Sequence, residues 1–421
     1  MTAELLFYIL IGIIVVEFLW DSYLDKLNAK HYNDGIPKEL EGIFNDEEYR
    51  QSQKYKLTNY HFSQWHKRIN FILILIFFLI GGFSWLDEWV RKIMENPMII
   101  SLIFIGILGI IGSLIEIPFS YYDTFVIEEK FGFNKSTKKL FWLDQIKSML
   151  LSIVLGGGLL SLILWFYIKT NENFWWYAWI LITAFTLFMT LFYSNIIVPL
   201  FNKQTPLEDG ELKEAIKIFA SQTGFTLDNI FVIDGSKRST KANAYFTGFG
   251  PKKRVVLYDT LISDLNTEEI VAVLAHEIGH YKKKHVLIQM MISIVMTGFT
   301  LFLLSLFIKS PLLSNALGIS IPSFHIGIIV FGILYSPISE ITGLFMNVFS
   351  RKFEYQADAF ASEFFNSEAL IGGLKKLSKK SLSNLTPHPL YVFWHYSHPT
   401  LLQRIRQLHL SKFNLDQSSK L

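Results

Sequence analysis

The chain has 421 residues, of which 51% are hydrophobic, and its formal net charge is only +3. Soluble proteins of this length seldom reach such an apolar fraction, so the composition excludes an ordinary soluble enzyme. The small positive charge is spread over loops, which excludes nucleic-acid binding and indicates orientation in a membrane. Because the chain has no cysteine, disulfides and thiolate metal ligands are excluded. A metal site would need histidine and carboxylate ligands.

Seven segments are long and apolar enough to span a lipid bilayer, which takes about 20 mostly apolar residues. In chain order they cover residues 4–20, 69–86, 98–121, 149–168, 175–200, 286–308 and 323–348. One such segment can be a buried core helix, but seven predict a polytopic membrane protein. The first has no basic leader and no small-residue cleavage site before Asp21, so we interpret it as a spanning helix.

The charges of the connecting loops predict the orientation of the chain. Lysine and arginine number eight in 21–68 and five in 123–148, but two in 87–97 and one each in 169–174 and 309–322. Positively charged loops stay in the cytosol. We therefore expect the amino terminus outside, and the basic loops, the metal motif described below and the carboxyl tail in the cytosol. Whether the membrane is a bacterial cytoplasmic membrane or that of the endoplasmic reticulum stays open.

Four regions follow from this pattern. They are spans one to five with their cytosolic loops (1–201), a cytosolic region of mixed structure (202–285), spans six and seven (286–350) and a helical cytosolic tail (351–421).

The region 202–285 is where the pattern predicts strands. An amphipathic helix is expected at 211–223 and a strand at 229–234. Residues 242–248 and 253–258 are expected to form a hairpin around Gly250-Pro251.

A helix with a metal-binding pattern follows the hairpin, in LNTEEIVAVLAHEIGHYKKKH. His276 and His280 are four residues apart, so on a helix they project from one face with Cβ atoms roughly 5–6 Å apart. Both rings can then bind one zinc ion at about 2.0–2.1 Å. Glu277 lies next to that face, where it can act as the general base on a metal-bound water. The pattern predicts metal-assisted hydrolysis of an amide bond.

The residues around this pattern indicate a buried helix. Asn266 and Glu269 are spaced as an N-cap and its reciprocal partner. Gly279 leaves room for a substrate backbone or a neighbouring helix. The fold class is therefore a predominantly α-helical polytopic membrane protein with seven transmembrane helices and a small zincin-like α+β catalytic region.

A catalytic zinc needs a third protein ligand and an open position for water. Glu354 is the best candidate, because it follows the seventh span in SRKFEYQADAF. Asp358 lies four residues further along the same helical face, where it can accept a hydrogen bond from a ligand histidine and fix that ring. We expect one zinc ion per chain, held by His276, His280 and Glu354.

Five separated motifs together resemble the Ste24-type CAAX prenyl proteases, integral-membrane zinc metallopeptidases of family M48. They are PFSYYDTFVIEEKFGFN (118–134), KANAYFTGFG (241–250), HEIGH (276–280), FEYQADAFA (353–361) and YSHPTLLQR (396–404), in the order that the family has them. The resemblance covers nearly the whole chain. It implies the same three zinc ligands, the same base and a large water-filled chamber within seven spans.

The resemblance also implies roles for three further residues. Asn243 is expected on an edge strand that pairs with an extended peptide, a mode of binding that demands no single substrate sequence. His398 and Arg404 are expected to approach the zinc site, where a donor or a cation can stabilise the developing oxyanion.

The substrate stays open between two classes. The expected reaction is CAAX-type carboxyl-terminal processing of proteins or peptides, prenylated or not, within a lipid bilayer. Some eukaryotic family members, however, carry a long charged insert where only residues 259–267 intervene here. A membrane quality-control protease is therefore the alternative.

Two other interpretations fit the sequence less well. An intramembrane protease would bury its metal motif within a span, but Lys282, Lys283 and Lys284 follow the motif directly. A non-catalytic zinc transporter or scaffold would have no use for Glu277 or for a peptide-pairing strand. The oligomeric state is not predicted by the sequence.

Overall fold

The computed structural model describes residues 1–224, 229–248 and 254–418. Long helices dominate the amino-terminal half. They are α1 Ala3–Ala29, α2 Asp46–Leu79, α3 Gly82–Ile93, α4 Pro97–Tyr122, α5 Lys138–Leu151, α6 Gly158–Thr170, α7 Phe174–Ile196 and α8 Val198–Phe201. A π-helical turn at Asp123–Glu128 extends α4, and another at Ser152–Gly157 joins α5 to α6.

Five helical stretches of the described chain are long and apolar enough to cross a membrane, and a bent helix pair makes a sixth. The five are Ala3–Ala29, Pro97–Glu128, Lys138–Phe201, His285–Phe307 and Phe324–Phe364. This confirms a mostly helical membrane protein. The predicted spans 149–168 and 175–200 fall together in the 64-residue stretch Lys138–Phe201, so the count of seven spans stays a prediction.

The second predicted span is bent, not straight. α2 and α3 meet at an angle of 64°. The bend lies at Gly81, whose φ of 68° is in the left-handed region that glycine adopts without a Cβ clash. The chain therefore turns within the predicted segment 69–86. The expected loop 87–97 is mostly helix, because α3 continues to Ile93.

A small mixed sheet follows α8 in the chain. Its strands are β1 Gln204–Pro206, β2 Ile230–Ile233, β3 Ala244–Thr247 and β4 Arg254–Tyr258, arranged in the order β1-β2-β4-β3. β3 runs antiparallel to β4, which confirms the predicted pairing, whereas the turn predicted at Gly250-Pro251 lies outside the described residues. The sequence pattern does not predict the short strand β1. Among the described strands, β3 lies at an edge of the sheet.

The carboxyl-terminal half is again helical. Its helices are α9 Glu211–Gln222, α10 Asp259–Asp264, α11 Thr267–Lys282, α12 His285–Phe307, α13 Pro311–Ala316, α14 Phe324–Phe364, α15 Ser367–Lys380, α16 Pro389–His395 and α17 Leu401–Ser418. α9 and α11 confirm the two helices predicted for the mixed region. α14 continues for 41 residues, so the seventh predicted span and Glu354 lie on one helix.

α11 is held at its start and along one face. The Asn266 side chain accepts a hydrogen bond from the Glu269 backbone N–H, and the Asn266 N–H donates to the Glu269 carboxylate, which confirms the predicted capping box. Ile270, Leu274 and Ile278 are buried in a core shared with the sheet, α9, α15 and α17. Each such side chain stabilises the fold by about 1.5–3 kcal/mol. The metal-binding pattern therefore lies on a rigid element.

Candidate metal centre and cleft

The two histidines of the HEIGH motif point their Nε2 atoms at a common point. These atoms are 3.1 Å apart, one helical turn separating the residues on α11. His276 is buried, and His280 is partly buried. The helical repeat alone accounts for this, because residues four apart share a face.

Glu354 of α14 brings its carboxylate to the same point. Its Oε1 lies 3.2 Å from His280 Nε2, and its Oε2 lies 3.5 Å from His276 Nε2. In a tetrahedral zinc site with bonds of about 2.0–2.1 Å, neighbouring ligand atoms lie roughly 3.3 Å apart. The distance between the two imidazole nitrogens, and the distance from each of them to its nearer Glu354 oxygen, are therefore close to the spacing within a zinc tetrahedron.

The buried carboxylate of Glu354 also has the chemistry of a metal ligand. Its Oε2 is buried and has no hydrogen-bond partner, although a buried carboxylate oxygen is costly to leave without one. A cation held between this oxygen and the two imidazoles would satisfy it. These three are a group of described residues whose ligand atoms lie within 4.8 Å of one another, so the residues fit a zinc ion.

Gly279 explains how α14 comes close enough to α11. A Cβ atom at Gly279 would lie 3.1 Å from the Ala357 Cα and 3.1 Å from the Phe360 Cβ, so the helix backbones are in contact there. Of the two roles expected for this glycine, the structure supports the approach of a neighbouring helix.

Asp358 and Arg404 lie on the Nδ1 side of the His276 ring, away from the metal position. The Asp358 Oδ1 is 2.8 Å from His276 Nδ1, so it can accept the N–H of a ring whose Nε2 faces the metal position. Arg404 Nε donates to Asp358 Oδ2 over 2.8 Å. Arg404 Nη2 also lies 3.3 Å from His276 Nδ1, but two N–H groups cannot bond each other, so Arg404 holds Asp358.

These charges are coupled. Burial and the Arg404 cation each lower the pKa of His276, but the Asp358 and Glu354 carboxylates raise it more, to about 9. Burial lowers the pKa of Arg404. The carboxylates of Asp358, Glu354 and Glu277 raise it by a larger amount, so the pKa lies above its usual value. The site is thus an anionic pocket that favours a positive charge at the position shared by the three ligands.

A cleft of about 520 Å³ opens over the three ligands. Glu277 lines it, beside the ligand histidines and on the same helix. Asn243, Ala244 and Phe246 line it as well, so the edge strand β3 faces the same space. Base, metal position and a peptide-pairing strand can therefore act on one substrate.

Asn243 and Ala244 are placed differently in the strand. Asn243 O accepts a hydrogen bond from Tyr258 N on β4, over 3.1 Å. Residues of an antiparallel pair alternate, so the backbone groups of Ala244 point away from β4. The Asn243 side chain accepts from the Ala244 N–H over 2.8 Å. Asn243 thus covers an amide that would otherwise face the cleft.

His398 and Arg404, expected near the zinc, both line the cleft. His398 Nε2 is 3.3 Å from Glu354 Oε1, and its side chain is 65% exposed, so a substrate can reach it. The Ser397 hydroxyl is 3.0 Å from His398 Nδ1. The Arg404 side chain is only 12% exposed and its Nη1 is 3.8 Å from Glu354 Oε2. A direct contact of Arg404 with substrate stays a prediction.

One wall of the cleft is apolar. It is made by side chains of α11 and α15, namely Val273, Leu370, Leu374 and Leu377. The three leucines recur at the spacing of one helical face. This wall was not predicted from the sequence, although the spacing of the leucines on α15 is a signal that could have found it.

Another residue that the sequence analysis misses is His285. It is buried at 1% exposure, and its ring contacts the His280 ring. The available signal is a third histidine five residues after His280.

The chain is similar to known families and proteins over nearly its whole length. Residues 26–203 match the family described as CAAX prenyl protease N-terminal, five membrane helices, and residues 206–411 match peptidase family M48. CAAX prenyl protease 1 of Saccharomyces cerevisiae is 37% identical, with 95% of this chain and 94% of that protein covered. The CAAX prenyl protease 1 homolog of Dictyostelium discoideum is 38% identical, with 94% and 95% covered.

A solved structure has the same fold. The crystal structure of S. mikatae Ste24p superposes with a TM-score of 0.90 at 36% identity, covering 96% of this chain and 99% of that one. Both the sequence families and the fold therefore extend over nearly the whole chain. The chain belongs to peptidase family M48, among the integral-membrane zinc metalloproteases related to CAAX prenyl protease 1.

Proposed function

We propose that this chain is a zinc endopeptidase that removes carboxyl-terminal residues from CAAX-type proteins, with His276, His280 and Glu354 holding one zinc ion. The observation that carries the proposal is the cleft itself. It joins three side chains whose ligand atoms lie within 4.8 Å of one another, a carboxylate base and an edge strand. The relatives named CAAX prenyl protease 1 support the substrate class.

The zinc, when bound, acts as a Lewis acid that polarises the scissile carbonyl and makes water a stronger acid. Glu277 takes the proton of the attacking water and passes it to the leaving amine nitrogen. The Ser397 hydroxyl, 3.0 Å from His398 Nδ1, can donate to that nitrogen and so leave the ring proton on Nε2. That N–H donates to the carbonyl oxygen as negative charge develops there.

The edge strand holds the peptide by its backbone. The outward N–H and C=O of Ala244 pair with an extended substrate once the Asn243 side chain moves aside. The apolar wall of Val273, Leu370 and Leu374 then receives an aliphatic side chain near the scissile bond. Aliphatic residues are what a CAAX sequence offers at that place.

The experiment compares two peptides with the purified full-length protein. One is a farnesylated peptide ending in a CAAX sequence, and the other is its unmodified twin. We expect cleavage of the farnesylated peptide that a zinc chelator stops and added zinc restores. Equal rates on both peptides would favour quality control over prenyl-directed processing. No cleavage by a protein that binds zinc would contradict the proposed function.

We further propose that the amino terminus lies outside and the cleft in the cytosol, because residues 21–68, residues 123–148 and the region that carries the metal motif are rich in lysine and arginine. The chain has no cysteine, so single cysteines placed in loops 21–68 and 309–322 can be labelled without background. A membrane-impermeant thiol reagent added to sealed membrane vesicles whose cytosolic face points outward should label the first position only. Labelling of 309–322 instead would reverse the orientation.

A further inference from the structure

His285 is buried against the ligand set without belonging to it. Its Nδ1 is 3.1 Å from His280 Nδ1, and its Nε2 is 2.8 Å from the Gln356 side-chain oxygen. His280 uses its other nitrogen, Nε2, toward His276 and Glu354. The three side chains His280, His285 and Gln356 therefore form a continuous line that starts at the metal position.

The backbone is bent to make this contact. Lys284, the residue between α11 and α12, has a φ of 59° in the left-handed region. A residue other than glycine adopts that conformation at an energetic cost, because its Cβ crowds the backbone. The turn starts α12 at His285 and returns its ring onto His280, one turn back on α11. Backbone strain of this kind persists where the surrounding structure requires it, often at functional sites.

The hydrogen bonds of the line can run in one direction only. A His280 ring that binds metal through Nε2 carries its proton on Nδ1. The Nδ1 of His285 must then accept a hydrogen bond from the His280 Nδ1–H, which places the ring proton of His285 on Nε2. That N–H meets the Gln356 Oε1, which is an acceptor. Every donor in the line thus finds an acceptor, and His285 stays neutral.

The two ligand histidines are consequently supported by different chemistry. His276 donates to the Asp358 carboxylate, whose charge Arg404 balances. His280 donates to a neutral imidazole backed by an amide. Groups that orient a ligand histidine typically change metal affinity 10- to 100-fold when they are removed.

We propose that His285 is a positioning residue for the metal centre, fixing the tautomer and ring orientation of His280 while Gln356 fixes His285. This inference rests on the ligand set of the proposed function. The alternative is that His285 only packs against its neighbours, because its ring also stacks on Phe353 with centroids 4.3 Å apart.

Two substitutions separate positioning from packing. His285→Phe keeps an aromatic ring for Phe353 but removes the acceptor for His280. His285→Asn loses the ring but keeps an oxygen close to the place of Nδ1. Zinc affinity of the full-length protein is measured by competition with a chromophoric chelator, and thermal unfolding is measured after chelation.

We expect His285→Phe to weaken zinc binding about 10- to 100-fold and His285→Asn to stay within a few-fold of the unsubstituted protein. Unchanged affinity in His285→Phe would overturn the inference, as would a loss in His285→Asn that equals the loss in His285→Phe. Should His285→Phe fail to fold, Gln356→Met tests the same three residues, because it removes the acceptor that fixes the tautomer of His285. Unchanged zinc affinity in Gln356→Met would also overturn the inference.

Failure of the inference differs from failure of the proposed function. If the unsubstituted protein binds no zinc, or if His276→Ala still binds it equally well, the ligand set itself is wrong. If zinc binding depends on His276 and not on His285, only the positioning role is lost.

Discussion

Arg404 of α17 and the buried Asp358 of α14, 46 residues apart in the chain, form a forked ion pair, with Arg404 Nε 2.8 Å from Asp358 Oδ2. Since Asp358 also accepts from His276, this pair connects α17 to the metal centre. Removal of one partner leaves the other as a buried charge without compensation, which costs about 3–5 kcal/mol.

We therefore expect Arg404→Leu to lower the free energy of unfolding by about that amount. Arg404→Lys should lose less, because it keeps the charge and loses only the fork. Denaturant unfolding in detergent measures both. Arg406→Leu is the matched control, since Arg406 pairs with Glu39 at the surface and should change stability little. Equal, small effects at both positions would refute the buried pair.

Glu277→Gln should abolish turnover without removing metal. The amide cannot take a proton, and a positioned general base contributes about 10²–10⁴-fold to rate. Glu277 is not among the three side chains that share the metal position. We expect kcat to fall by that factor while the zinc content stays at one ion per chain. Zinc content lost in Glu277→Gln, but kept in Glu354→Gln, would exchange the roles of the two carboxylates.

Ala244→Pro should weaken peptide binding selectively. The Ala244 N–H points away from β4, so proline there removes no hydrogen bond of the sheet and is tolerated on an edge strand. It does remove a donor to the substrate backbone. We expect KM for a CAAX peptide to rise about tenfold or more, as one lost hydrogen bond of about 1.5 kcal/mol implies.

Ala244→Ser keeps the N–H and is the control for that experiment. Its KM should stay close to that of the unsubstituted protein, and zinc content should be normal in both variants. A KM that proline leaves unchanged would mean that substrate does not pair with β3.

Gly279→Ala should push α11 and α14 apart. Its Cβ would meet the Ala357 Cα and Phe360 Cβ at 3.1 Å each, and overpacking of this kind costs about 1–3 kcal/mol. Because the same contact sets the distance between the histidines and Glu354, zinc affinity should fall together with stability. Gly343→Ala on α14 is the control, since nothing lies within 4 Å of its Cβ position. A stable Gly279→Ala with full zinc affinity would show that the helix contact does not set the ligand spacing.

Local spacing explains what was predictable at the site. His276, Glu277 and His280 are arranged by the helical repeat, which is a property of a few neighbouring residues. The Asn266–Glu269 cap is equally local and is confirmed by its two hydrogen bonds. The need for a third ligand on a separate segment pointed to Glu354, and the motifs shared with the family implied the same residue, but no local rule could bring it to His280, 74 residues before it in the chain.

The bend in the second span shows where prediction from the local sequence fails. Residues 69–86 are mostly apolar, and hydropathy indicates burial in lipid without indicating the direction of the backbone. Only the left-handed φ of Gly81 turns the chain by 64°. In the same way, no hydropathy pattern identifies β1, a strand of three residues that owes its form to its partner β2.

The sequence by itself determined the apolar runs, the absence of thiol ligands and the two histidines and base of one helix face, because composition and helical period are local quantities. Tertiary structure alone decided that Glu354 lies 3.2 Å from His280, that Gly279 lets two helices touch and that His285 returns to the ring it supports. These relationships depend on how segments far apart in the chain pack against one another.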